Sequence, residues 1–249
     1  MDPYAFFEKN KHFTWQPEAI PGHLTTDIDI ANWILNHLDF GWIELDINLN
    51  LNQWKQECLT SMPYLVSHRE SDSIGWNSAC MHGIDISSTG AWTRYGYKKE
   101  CDVPYHWTEL SNNTPFIKSF WQDQFPSDQY RRIRFMEVRP DGYIKPHSDM
   151  PGRLPGEENF DALEFGVPVN IAVIHPENCY MTLEGKGIVP FKEGRAFIVN
   201  IRHTHSVINF SQESRIHVIG HSYGYGSKKQ EFAELVTRSY KKQYEHSRI

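Results

Sequence analysis

A fold for this chain has to satisfy one stretch before any other, the run from Arg139 to Arg215. It holds Pro140-Asp-Gly-Tyr-Ile-Lys-Pro-His147-Ser-Asp149 at one end and His203-Thr-His205 at the other, with Arg215 ten residues beyond His205. Side chains alternate along a strand, so residues two apart face the same way. At a strand end, His147 and Asp149 can therefore point into one cavity. A second imidazole from a distant strand would complete a set of two histidines and one carboxylate on one side of an ion. That set leaves coordination positions open and suits non-haem Fe(II).

His-x-Asp alone carries little information. The chain contains it twice, the other copy being His37-Leu-Asp39. That copy follows Ile30, Trp33, Ile34 and Leu38, which repeat with helical spacing. Residues two apart on a helix point roughly opposite ways, so this copy cannot chelate. For His147 and Asp149 the competing reading is an ordinary loop histidine beside a solvated aspartate. The downstream context weighs against that. Phe191 to Asn200 reads as a turn and a buried strand, followed by His205, Asn209 and Arg215, with Ser211-Gln-Glu-Ser214 as the turn between two strands. Arg215, His217 and Ile219 then share one strand face. An inward arginine is costly unless it meets an anion. A guanidinium matches a carboxylate because it donates two parallel hydrogen bonds.

In order and spacing these residues resemble the aspartyl/asparaginyl β-hydroxylase family of Fe(II)/2-oxoglutarate-dependent dioxygenases. The parts that carry the resemblance are Arg134-Phe-Met-Glu-Val, Pro140-Asp-Gly142, Ile144-Lys-Pro-His147-Ser-Asp149, Pro176-Glu-Asn-Cys179, Glu193-Gly-Arg195, His205, Asn209 and Arg215. They span roughly residues 105 to 221, with a weaker lead-in at His106-Trp107-Thr108 and Thr114-Pro115. The resemblance implies a mainly β fold with flanking helices around a double-stranded β-helix, a jelly roll of the cupin type. It implies Fe(II) on His147, Asp149 and His205, and 2-oxoglutarate as co-substrate with its far carboxylate on Arg215. It also implies hydroxylation of an unactivated C–H of an amino acid, free or in a peptide, with release of succinate and CO2.

Some members of that family keep a glycine where this chain has Asp149, so the full triad is present here. Where several members carry a histidine toward 2-oxoglutarate, this chain has Asn170. Its amide can serve the co-substrate or a neighbouring backbone. His217 occupies a slot that another branch of these oxygenases fills with serine. It either donates to the same carboxylate or is a satisfied core histidine. His205 is preferred to His203 as a ligand on its spacing to Arg215, although on a regular strand both face one way. Trp92, Arg94 and Arg153 are candidates for holding substrate, with a plain surface role competing for Arg153. Two other classes stay open: a cupin-like metalloprotein such as an isomerase, which would not need a buried Arg215, and a non-catalytic jelly-roll binding module.

A formal net charge of −6 argues against a nucleic-acid or anionic-membrane partner. The pairs Lys228-Lys229 and Lys241-Lys242 read as solvated faces of a terminal helix. Cys58, Cys80, Cys101 and Cys179 form no Cys-x-x-Cys pair, and the N-terminus has no apolar run of signal length. The longest charge-free apolar stretch, Phe165 to Ile174, is too short to cross a bilayer as a helix. These features lead us to expect a cytoplasmic protein with reduced thiols, and the family resemblance implies a small-molecule or peptide substrate. Length and composition fit one domain over residues 1–249. Within it, 1–130 would support a β-helix core at 131–221, closed by a helix at 227–244.

Local patterns fill in that outline. Thr26 to Leu38 reads as a helix with a capping-box start at Thr26 and Asp29. Trp42 to Leu49 alternates as a half-buried strand, and Gln53 to Met62 reads as a short helix. Residues 66–105 mix strand and turn signals. Thr114 as cap and Pro115 as first residue start a helix with Phe116, Ile117, Phe120 and Trp121 on one side. Arg131 to Arg139 is a strand, and Pro140-Asp-Gly142 a turn in which Gly142 can supply a positive φ. Met150 to Phe165 reads as a loop acting as a lid. Val167 to Ile174 reads as a strand buried on both faces. Ser227 to Tyr244 reads as a helix with a Ser227/Gln230 capping box and an apolar face of Phe232, Leu235, Val236 and Tyr240.

Overall fold

The computed structural model describes residues 1–37, 39–149 and 162–248 of the chain. Its first strand, β1 (Trp42–Leu45), is shorter than the alternation of residues 42–49 implied. A two-residue strand β2 (Val66–Ser67) and the long β3 (Ser73–Gly83) emerge from the stretch whose signals were mixed. They are followed by β4 (His106–Trp107) and by β5, which runs from Tyr130 to His147. The remaining strands are β6 (Pro168–Ile174), β7 (Cys179–Leu183), β8 (Gly187–Ile188), β9 (Arg195–Val199), β10 (His205–Asn209) and β11 (Arg215–Ser222). Every pairing between these strands is antiparallel. The order is β1-β9-β6-β11-β5-β10-β7-β8, with β3 on the other side of β5. The sheet curls into a half-barrel of the jelly-roll, cupin-like type, mainly β with helices on its flanks.

β5 gives the sheet its curl because it belongs to both halves. Residues Tyr130 to Val138 pair with β11, and Tyr143 to His147 pair with β10. The predicted turn at Pro140-Asp-Gly142 is a bend inside this single strand. Asp141, not Gly142, takes the positive φ, at 56°. Aspartate tolerates that conformation because its short polar side chain bonds locally. Gly142 is required for a different reason. A Cβ there would lie 2.7 Å from the Arg139 carbonyl oxygen and 2.9 Å from that of Ile74.

Alternation along β5 separates two cores. Ile133 and Phe135 face a large cluster with Ile43, Leu45, Trp121, Ile171 and Val218. Met136, Val138 and Ile144 face a second cluster inside the half-barrel, with Trp76, Met181, Phe197 and Val207. β6 is buried along almost its whole length, as its apolar run, interrupted only by Asn170, predicts.

The helices cover the outer core. α1 (Pro3–Asn10) caps its N-terminus with Asp2. α2 (Asp27–Asn32) starts on Thr26, whose hydroxyl oxygen accepts from Asp29 N–H, and then widens into a π-helical turn over Trp33–His37. α3 (Leu51–Ser61) presents Trp54 and Cys58 to the core. α4 (Pro115–Ser119) begins at Pro115 as expected, but Thr114 does not cap it. The Thr114 hydroxyl donates back to the Leu110 carbonyl. The free N–H groups of Phe116 and Ile117 instead donate to the buried Glu57 carboxylate, each at 2.8 Å. Phe116, expected on the packed side, is exposed, while Ile117, Phe120 and Trp121 are buried.

Of the predicted loop at Met150–Phe165, the described part is a short helix, α5 (Ala162–Phe165); the remainder, with the lid expectation, lies outside the described residues. The last helix, α6 (Lys229–His246), starts later than Ser227 because Ser227 sits in a 3-10 turn and donates to Asp128 instead of capping. Its buried face carries Phe232, Leu235, Val236 and Tyr240, as its periodicity predicts. No described helix is long and apolar enough to cross a membrane.

Gly220 sits mid-strand in β11, where a Cβ would come within 2.4 Å of the Trp121 ring. That ring is fully buried and held by Phe120, Phe125 and Tyr130. Gly220→Ala is therefore expected to cost about 1–3 kcal/mol by overpacking. A urea melt checks this: the midpoint should fall with the slope unchanged.

Candidate metal centre

The β5–β10 pairing sets His147 directly opposite His205. Their rings approach to 4.4 Å between centroids. Two residues past His147, the Asp149 N–H donates to the Ile201 carbonyl at 3.0 Å, which turns the end of β5 toward the approach to β10. Side-chain ligand atoms of His147, Asp149 and His205 thus lie within 4.8 Å of one another. Donors on a first-row divalent ion sit ~2.0–2.2 Å from it, so three donors on one side of it lie ~3 Å apart. This cluster would draw in by up to about 2 Å to close around one ion in that way.

Each imidazole has its tautomer set by a backbone carbonyl. His147 Nδ1 lies 2.8 Å from the Lys145 oxygen, and His205 Nδ1 lies 3.0 Å from the His203 oxygen. A carbonyl only accepts, so Nδ1 carries the proton and Nε2 offers its lone pair, the outer-sphere arrangement typical of metal histidines. Burial, followed by the nearby His147, lowers the His205 pKa to about 4, so that imidazole is neutral at physiological pH. Burial also opposes charge on His147, but the nearby Asp149 carboxylate and the hydrogen bond to the Lys145 carbonyl outweigh it and raise its pKa. Burial would raise the Asp149 pKa, yet His147 and Arg69 hold the carboxyl well below the usual carboxylate range. Two anionic oxygens are therefore available. Arg69 donates to Oδ1 from both terminal nitrogens at 3.2 Å, while Oδ2 lies 3.8 Å from His147 Nε2.

His203 does not join this group. Its Nε2 meets Asp39 at 2.8 Å and the Phe40 carbonyl at 3.2 Å. The strand begins at His205, so the alternation that would align His203 with it does not extend that far.

The three side chains open into a cavity of about 350 Å3. Arg215 and Asn170 line the same cavity. Arg215 is 3% exposed, and burial lowers its pKa to about 10, which leaves it charged. Among the described residues no carboxylate pairs with it, and its Nε has no hydrogen-bond partner. Its terminal nitrogen meets His217 Nδ1 at 2.7 Å, and the same Nδ1 lies 2.7 Å from Asn170 Oδ1. His217 Nε2 faces His175 Nδ1 at 3.0 Å. Burial, then Arg215 and His175, hold His217 neutral. One ring nitrogen carries either a proton or a lone pair. If Nδ1 accepts from Arg215 it cannot donate to Asn170, so one of these contacts is unmade and a group is left to serve a ligand. An unpaired buried charge costs several kcal/mol, and an anion in the cavity would relieve it.

Arg153 lies outside the described residues. Trp92 and Arg94 sit in a 3-10 turn and are not among the cavity's lining residues, although Gly90 and Ala91 beside them are. Several lining residues were not singled out as site residues from the sequence. Arg69 enters from the turn before β3, with a left-handed φ of 51° and its guanidinium 5.7 Å over Trp76. Backbone strain of this kind clusters at functional sites. Arg132 and Arg134 enter on the inward face of β5, together with Met136. Strand alternation from the buried Met136 back to Arg132 was the available signal.

No curated protein matches the sequence significantly. Among solved structures, the chain is similar to a prolyl-4-hydroxylase from Pseudomonas putida, at 14% identity over 80% of this chain and 99% of that one, with a TM-score of 0.43. It is also similar to an oxidoreductase of the 2OG-Fe(II) oxygenase family from Burkholderia pseudomallei. There identity is 11% over 87% of this chain and 97% of the other, with a TM-score of 0.46. A prolyl hydroxylase from Trichoplax adhaerens, solved with a hypoxia inducible factor peptide fragment, is 12% identical over 83% of this chain and 93% of that one, with a TM-score of 0.43. The family model for aspartyl/asparaginyl beta-hydroxylase matches residues 50–222, a span that runs from α3 to the end of β11. By that match the chain belongs to the aspartyl/asparaginyl β-hydroxylase family of 2-oxoglutarate-dependent dioxygenases.

Proposed function

We propose that this enzyme hydroxylates an unactivated C–H of an amino acid, free or within a peptide, using Fe(II) and 2-oxoglutarate. The observation that carries this reading is the buried Arg215, without a carboxylate partner among the described residues, in the cavity shared by His147, Asp149 and His205. A metal site that worked without a diacid would have no use for that guanidinium, and a binding module without a metal would have no use for the three converging donors.

The donor set fits the pair. His147 and His205 would offer Nε2, and Asp149 would offer Oδ2, leaving an octahedral ion with open positions. Arg215 would hold the far carboxylate of 2-oxoglutarate through two parallel hydrogen bonds, with its orphaned Nε as one donor. Asn170 or His217, whichever is not spent on the other, would add a further bond. Bound there, iron and 2-oxoglutarate supply the oxidation, in which hydroxylation is coupled to release of succinate and CO2. The chain's own work is to position and shield. Arg69 fixes the rotation of the Asp149 carboxylate, the Lys145 and His203 carbonyls fix the two imidazoles, and Met136, Ile144, Met181 and Val207 exclude water around them.

Purified protein supplied with Fe(II), 2-oxoglutarate and O2 should release succinate, slowly without substrate. His147→Ala should abolish that release; a variant as active as wild type would rule out the assignment. Arg215→Met should raise the KM for 2-oxoglutarate by about 10–100-fold, the worth of a charge-assisted pair. An unchanged KM would remove Arg215 from the binding site. Arg69→Ala should weaken metal affinity by about tenfold, as loss of an outer-sphere partner does; equilibrium dialysis against Fe(II) under argon measures it.

A further inference from the structure

A chain of side-chain contacts runs from Arg215 in the cavity to the edge of the sheet. Arg215 meets His217 Nδ1 at 2.7 Å, and His217 Nε2 meets His175 Nδ1 at 3.0 Å. His175 is the first residue after β6, the strand that pairs with β11. Phe191 covers the group. Its ring lies 4.8 Å from that of His217 and 5.5 Å from that of His175, with the Arg215 guanidinium 5.7 Å over it. His217 is fully buried, whereas His175 is half-buried. The His175 N–H donates to Glu193 Oε1 at 3.1 Å, which ties its backbone to the turn before β9.

These contacts constrain where the ring protons sit. A guanidinium only donates, so the Arg215 contact requires a bare Nδ1 on His217. Asn170 Oδ1, 2.7 Å from the same nitrogen, would require a proton there. A bond from a charged donor is about twice as strong as one between neutral groups, so Arg215 takes Nδ1. His217 is neutral, and its one ring proton is then on Nε2. An unpaired N–H at a fully buried site would cost about as much as the bond to Arg215 returns. Among the described residues, His175 Nδ1 is the acceptor that meets it. Burial, then Arg215, lower the His175 pKa to about 4, so that ring is neutral and can keep Nδ1 bare. Without this acceptor the balance reverses: the proton moves to Nδ1, donates to Asn170, and turns Arg215 away. Two core histidines that satisfied only each other would be indifferent to tautomer. Arg215 removes that indifference, because only one neutral tautomer of His217 accepts its proton.

We propose that His175 is a positioning residue for 2-oxoglutarate: it accepts the Nε2 proton of His217, keeps His217 Nδ1 bare for Arg215, and so holds the guanidinium with its orphaned Nε free for the far carboxylate. This deepens the hydroxylase reading and rests on it. His175 acts through His217 and touches neither metal nor co-substrate. The Asn170 amide, with no proton to accept from His217, is left to serve the ligand.

Nuclear magnetic resonance of the full chain, with its imidazole nitrogens isotope-labelled, reads the tautomer without metal or co-substrate. The His217 signal, identified by its loss in His217→Gln, should show the proton on Nε2. His175→Leu should move it to Nδ1. His175→Asn, whose side-chain oxygen can accept near the position of Nδ1, should keep it on Nε2. Anaerobic calorimetry of the Fe(II)-loaded protein then measures 2-oxoglutarate. His175→Leu should bind it about tenfold or more weakly, as loss of a charge-assisted hydrogen bond implies, and His175→Asn should restore most of the affinity. A proton on Nδ1 in the wild type overturns the proposal. So does a His175→Leu protein that keeps the Nε2 tautomer. A His175→Leu protein that melts at a lower temperature but binds 2-oxoglutarate like wild type overturns it too, since a purely structural histidine would behave that way. If His175→Leu does not fold, His175→Phe and the wild-type tautomer carry the test. Wild-type protein that does not bind 2-oxoglutarate counts against the hydroxylase reading and the co-substrate role together, while the spectra still decide the His175–His217–Arg215 relay.

Discussion

The site depends on one pairing, β5 against β10, which places two imidazoles on adjacent strands at the same level. Neither strand could do this alone, since β5 supplies a histidine and a carboxylate and β10 supplies the third donor. The bend at Arg139–Gly142 lets β5 leave β11 and reach β10. The same strand therefore carries Arg134 in one half of the sheet and His147 in the other. A close backbone approach at Gly142 and a left-handed Asp141 are what the bend requires. The metal ligands and the arginines are consequently held by a single continuous backbone.

Electrostatics then distinguishes the interior from the exterior. The chain carries a formal net charge of −6, yet Arg69, Arg132, Arg134 and Arg215 all face one cavity whose lining has, among the described residues, a single carboxylate, Asp149. Low-dielectric walls strengthen such a field and draw anions toward it. The cost of burying these guanidiniums falls on the protein without ligand. The hydrogen bonds of Arg215 and His217 are correspondingly over-subscribed around one ring nitrogen.

Much of this was legible in the sequence because strand alternation is a local rule. It placed Arg215 with His217 on one face of β11; His147 and Asp149 do converge, but through a bend past the end of β5 and not by alternation along it. It also marked Val167–Ile174 as a buried strand with an amide inside it. The misses occurred where a distant partner overrode a local pattern. Thr114 and Ser227 look like helix caps, but Glu57 supplies the first cap from another helix and Asp128 takes the hydroxyl of the second. The choice between His203 and His205 turned on where a strand begins, a boundary that spacing only hints at. Arg69 was out of reach. Its role follows from a left-handed residue in the turn before β3, in a segment whose signals were mixed.

The central claim is that three side chains from two strands hold one Fe(II) onto which 2-oxoglutarate can chelate. Visible absorption of the anaerobic protein, titrated with Fe(II) and then 2-oxoglutarate, measures this directly. A keto acid chelated to Fe(II) gives a charge-transfer band that neither component gives alone. The account predicts that the band saturates at one iron per chain and is absent from His205→Ala. A wild-type titration with no band, or a His205→Ala titration indistinguishable from wild type, would contradict it.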